Sequence, residues 1–170
     1  VSLCVVMAGV TALWVGMMRI AEKSGLLEAM EQRMQPVLNF LFPEIPGNHP
    51  SRKSIATNLL ANILGLGWAA TPAGLKAMEE LADLEEERRR KKQRAVPIGA
   101  ASNEMCDFLI LNISSLQLIP VSIIAFRTEY GSVAPTAIVG PAILATAVST
   151  GIAIFYIKIR KCIYRKLFDR

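Results

Sequence analysis

Residues Ser54–Leu75 read SIATNLLANILGLGWAATPAGL. The stretch carries no charge and is long enough to cross a bilayer as one helix. Its composition opposes a plain helix. Gly65, Gly67 and Gly74 weaken helical continuity, and Pro72 removes a backbone donor. Asn58, Asn62 and Thr71 place polar groups at membrane depth. Non-helical backbone survives inside a bilayer only where protein buries it or water reaches it. The stretch therefore predicts two half-helices broken around Gly65–Pro72, in the manner of a re-entrant hairpin.

A second stretch repeats the conflict. Met105–Phe126 reads MCDFLILNISSLQLIPVSIIAF, with Asp107, Asn112, Ser114, Ser115 and Gln117 ahead of Pro120. It too predicts a broken membrane helix. Two broken segments hint at an inverted pair, although no sequence repeat is evident. Two further uncharged runs, Val1–Met18 and Val133–Ile157, read as simple crossings, with Trp14 at the interfacial end of the first. Counting the second stretch only from Phe108, the four runs make up about half of the chain and hold none of its charges, whereas a soluble fold gives each helix a wet face. This distribution excludes disorder, a disulfide scaffold and an ordinary soluble enzyme. The fold class expected is an all-α integral membrane helical bundle with discontinuous or re-entrant helices and an amphipathic interfacial helix.

That amphipathic helix is Arg19–Phe42. Leu27, Met30, Met34, Val37 and Leu41 recur every three or four residues, and Pro36 is expected to kink or split it. Its apolar face suits either the membrane interface or other protein. Phe42–Pro50 (FPEIPGNHP) is a loop, after which Ser54 is a plausible helix start. Residues 76–97 form a charged cytoplasmic helix and loop, laced by Glu85, Glu86 and Glu87 four residues before Arg89, Arg90 and Lys91 and ended by Pro97 and Gly99. The basic runs Arg88–Arg94 and Lys158–Arg170 mark one cytoplasmic side. Two crossings lie between them, the turn Arg127–Ser132 is outside, and the C-terminus is cytoplasmic.

The 170 residues include 19 basic and 14 acidic side chains, a balance of +5. In a membrane protein this reflects cytoplasmic loops, so no nucleic-acid partner is inferred. Cys4, Cys106 and Cys162 show no metal-ligand spacing and His49 is the lone histidine, so no metal or cofactor is expected. Gly65-x-Gly67-x-x-Ala70 lacks the preceding strand of a nucleotide cradle. Asn112-Ile-Ser114 is a sequon buried in apolar sequence and is rejected. Glu104 and Asp107 are the only acid–base candidates, no nucleophile–base pair is credible, and the chain reads as a non-enzyme. There is no basic n-region, so no cleavable signal is expected, and Val1 falls inside an apolar run that predicts missing upstream sequence.

The best candidates for binding a solute are Asn58, Asn62 and Thr71 on the first broken segment and Asn112, Ser115 and Gln117 on the second. Asn58 and Asn62 share a helix face, as do Asn112 and Ser115. Amides and hydroxyls donate and accept, which suits a neutral polar solute. Interhelical hydrogen bonding would use the same groups equally well.

At Asn58–Leu81 and Met105–Thr150, with Leu13–Leu27 (LWVGMMRIAEKSGLL) before them, the sequence resembles the spore maturation protein A family. Trp68 departs from the small polar residue, such as Asn, expected there, and Asp107 is a second candidate departure. The resemblance implies one gate-type (nucleoside-recognition) domain over residues 1–170 in the bacterial inner membrane, preceded by another apolar segment. It also implies a spore maturation protein B-like partner, with which the chain would form a pathway for an unidentified small solute linked to dehydration of the spore core. The alternative is a non-transporting scaffold in envelope or spore maturation.

Overall fold

Gly25 enters the left-handed region, with φ of 73°, and the first full helix follows it. In the computed structural model this helix, α1, spans Leu26–Leu41. The others are α2 Ser51–Ile63, α3 Gly67–Arg90, α4 Asn103–Ser114, α5 Val121–Glu129 and α6 Val139–Phe168, the last preceded by a 3-10 turn at Pro135–Ile138. The structure describes residues 4, 5, 8, 9, 12, 13, 16, 19, 20, 23–65, 67–114 and 117–168, without the side chains of 26–28, 67–69 and 164–168. Among the described residues there is no strand. The crossing expected at Val1–Met18, with Trp14, falls for the most part outside them.

Pro36 sits inside α1 without dividing it. The buried stripe runs through Leu38 and Leu41, whereas the expected Val37 is 43% exposed. From Met34, a step of four and then of three stays closest to one face at 3.6 residues per turn, which selects Leu38. This face packs on protein, joining Phe42 and Ile45 of the loop in a core with Ile55, Leu81, Phe108 and Ile157.

The first break falls between Ile63 and Gly67, shorter than the expected Gly65–Pro72. Gly65 turns the chain at φ of 75°, and Thr71 and Pro72 already lie within α3. Pro72 is the sixth residue of α3, beyond the four whose backbone donors lack a partner, so the helix forgoes one hydrogen bond there and continues through it. The charged helix expected from Lys76 is a continuation of α3, and α3 ends earlier than Pro97. Lys92 takes φ of 53°, while Gln93 N–H donates to Arg88 O at 2.9 Å and Lys92 N–H to Arg89 O at 3.1 Å. These are the two bonds of a Schellman turn. The helix after the loop starts at Ser51, ahead of Ser54.

The second break lies between α4 and α5, with Pro120 capping α5. The two broken segments then differ. α2 and α3 pack along each other as a hairpin, with α1 on α2, whereas α4 packs on α6 and α5 on the 3-10 turn. Four uncharged runs suggested several crossings. Among the described residues one helical stretch, Pro135–Ile163, is long and apolar enough to cross a membrane. On it Leu144, Val148, Ile152, Phe155 and Ile159 form an exposed apolar stripe at helical spacing.

Candidate functional site

Asn58 and Asn62 lie one turn apart on α2, and both are buried. Asn58 Nδ2 donates to the Ala70 carbonyl in the first turns of α3 at 2.8 Å. Asn62 Nδ2 donates to Asn112 Oδ1 on α4 at 2.7 Å and to Asn58 Oδ1 at 3.3 Å. Three of the predicted site residues are thus brought together, from both broken segments. Gly74 allows this approach, because a Cβ there would stand 2.9 Å from the Asn58 amide nitrogen.

The two breaks also touch through backbone. Leu118 N–H donates to Ile63 O at 2.8 Å. A Cβ on Gly65 would lie 1.8 Å from the Ile119 carbonyl oxygen, so only glycine fits, on space as well as on φ. Each break therefore covers part of the other.

Thr71 is exposed on α3, unlike the buried Asn58 and Asn62. Ser115 lies outside the described residues. Gln117 is half-buried, and its backbone meets Thr146 of α6 at 3.4 Å in both directions. Thr150 Oγ1 donates to Ser114 O at 2.9 Å. Thr146 and Thr150 supply the polar groups that the end of α4 lacks. Sequence reasoning missed them, although two hydroxyls four apart on an apolar helix share one face and were the available signal.

The far ends of α3, α4 and α6 gather charge. Asp107 is fully buried, pairs with Arg160, and lies 3.0 Å from Lys161 Nζ. One turn earlier, Glu104 accepts from Arg88 Nη1 at 2.8 Å, and the same nitrogen reaches Glu85 at 2.5 Å. The set balances three carboxylates against three cations, as buried charges require. The two acid–base candidates are thus partners of cations. Both basic runs, expected to mark the cytoplasmic side, send side chains into the protein. Arg88, Arg160 and Lys161 thereby gather around one turn of α4.

The open carbonyls at the end of α1 are met from elsewhere. Lys158 donates to Phe40 O at 2.5 Å, Lys161 to Leu41 O at 2.7 Å, and Arg52 to Phe42 O at 3.3 Å and Ile45 O at 2.7 Å. Cations favour a helix C-terminus, and α1 has none in its own last turn. Further out, the hydrogen bond and charge of Lys91 hold the exposed Glu87 carboxyl below the usual range.

No family model matches the chain. No solved structure matches it. Over 140 residues it is 46% identical to spore maturation protein A of Bacillus subtilis (strain 168), covering 82% of this chain and 66% of that protein. The chain thus spans just under two thirds of that relative's length. The match extends well beyond the two broken segments, and the chain belongs to the spore maturation protein A family.

Proposed function

We propose that the chain is a multi-pass inner-membrane protein of spore maturation, with its C-terminus cytoplasmic, and that it forms part of a pathway for a small polar solute. The name of the relative supports the spore role, and the apolar helix Pro135–Ile163 supports a place in the membrane. The observation that carries the pathway is the meeting of two helix breaks around Asn58, Asn62 and Asn112. Broken helices that expose backbone ends and amides at one depth are how transporters bind solutes in a bilayer. Thr71, Ser115 and Gln117 would flank the path. A spore maturation protein B-like partner would complete it, and the chain would bind no nucleic acid, metal or cofactor and catalyse no reaction of its own.

The test is flux in proteoliposomes holding the chain and that partner, with radiolabelled glycerol, urea and uridine as probes. Asn62→Ala with Asn112→Ala should abolish the partner-dependent flux of any probe that crosses. Normal flux through a correctly folded double variant would sink the residue assignment.

One observation favours the scaffold alternative. The amides bond to one another and to the Ala70 carbonyl, as residues that only hold helices together would. A continuous wet path in a structure of the pair in lipid would decide against it.

A further inference from the structure

The helices fall into two bodies that share one apolar core. α1 packs on α2 and α2 on α3, α4 packs on α6 and α5 on the 3-10 turn, and α4 also touches α2 and α3, where Phe108 joins Ile55 and Leu81. The second body is clamped at both ends of α4. Asp107 holds Arg160 and Lys161 at one end, and Thr150 holds Ser114 at the other.

The polar bonds between the bodies are unequal. At the charged end they are charge-assisted: Arg88 to Glu104, Lys161 to Leu41 O, and Lys158 to Phe40 O with its ammonium 3.5 Å from the Phe40 ring centre. At the break end they are neutral: Asn62 to Asn112, and Leu118 N–H to Ile63 O. Bonds to an ionised group are roughly twice as strong as neutral ones. The Gly65–Ile119 approach adds contact there without a bond.

We propose that the charged end is a hinge and the crossing of the breaks is the end that opens, so that α4–α6 swings as one lever away from α1–α3. Opening costs two neutral hydrogen bonds and the packing of α4 on α2 and α3 nearest the breaks, and it uncovers Asn62 and Asn112, while every ion pair stays closed. A few element-terminal residues absorbing such a swing is ordinary hinge geometry. Lys92 to Ser102, between α3 and α4, carries the connection at the hinge end. This deepens the pathway reading by naming what would gate it. It is tested by motion instead of flux, so either can fail alone.

The experiment is spin-label distance measurement on the full chain in lipid nanodiscs, with Cys4, Cys106 and Cys162 replaced by Ser. One pair, Leu75→Cys with Ile123→Cys, spans the bodies towards the break end. The other, Asp83→Cys with Ile159→Cys, spans them towards the charged end. All four positions are exposed. The expected result is a broad or two-population distance distribution for the first pair, its longer distance several ångström beyond the shorter, and a single narrow one for the second. Adding Glu104→Gln should broaden the second pair. Equal, narrow distributions for both pairs, or a broad second pair in the parent chain, would overturn the hinge. A variant that fails to insert is replaced by Glu104→Asp, which should retain the narrow second pair if the ion pair is what holds it.

Discussion

The two ends of the molecule solve the same problem by different chemistry. Both must satisfy polar groups among apolar helices. The charged end does so with ion pairs that carry little directional demand, and it draws Arg52, Lys158 and Lys161 onto the carbonyls that close α1. The break end uses neutral amides, hydroxyls and backbone, which must meet in register. The difference teaches that the charged end tolerates movement of individual partners, whereas the break end depends on close fit at a few atoms.

Gly65→Ala should break the comparison most severely. The new Cβ would overlap the Ile119 carbonyl, and an alanine would be strained at that φ. We expect a loss of about 3–5 kcal/mol, from overpacking and backbone strain together, read as a fall in melting temperature in detergent. A stability equal to the parent would mean that the breaks do not touch. Next, Asp107→Ala leaves Arg160 and Lys161 facing each other without a carboxylate, at a cost of about 3 kcal/mol. Both cations remain partly exposed and can turn to solvent, which keeps the loss at the low end. Replacing Asp107, Arg160 and Lys161 together by Leu, Met and Met should recover most of it, because a buried ionic set often yields to apolar residues of similar size. A triple variant no better than the single one would show that the cations matter chiefly for closing α1.

Asn62→Ala should cost about 1–2 kcal/mol, the usual range for hydrogen bonds between membrane helices. A double-mutant cycle with Asn112→Ala should show that the two losses do not add. Strict additivity would break the amide bridge. Glu86→Gln should change stability by less than about 0.5 kcal/mol, since its pair with Arg90 is exposed. The smallest effect concerns Glu87. Its carboxyl is held low by Lys91, so the rung is fully formed above the ordinary carboxylate range and is lost as pH falls through the lowered value. Hydrogen exchange at the last turn of α3 should rise there, with no change near Asn62.

Much of the site was legible in residue type. Asn58, Asn62 and Asn112 stand out because amides are costly in apolar sequence, and they do meet. Thr71 misled because Pro72 was taken to mark the break. Pro72 costs α3 one hydrogen bond without ending it, and Gly65 sets the turn instead. Thr146 and Thr150 were passed over because hydroxyls on an apolar helix can bond to their own preceding turn, as Thr146 also does to Ala142. Arg52, Arg160 and Lys161 were hidden by their type, for a cation beside an apolar run reads as a flank.

The sequence by itself determined that the chain is helical and apolar in blocks, and that two of the blocks must break. Spacing, glycines and prolines are local properties, and local backbone physics acts on them directly. Only the tertiary structure decided that the breaks cross each other, that Leu38 and not Val37 faces the core, and that the basic runs turn inward to Asp107, Glu104 and the end of α1. Those outcomes depend on which distant groups come within hydrogen-bonding reach. Charge and amide content announce that partners are needed, but packing alone chooses them.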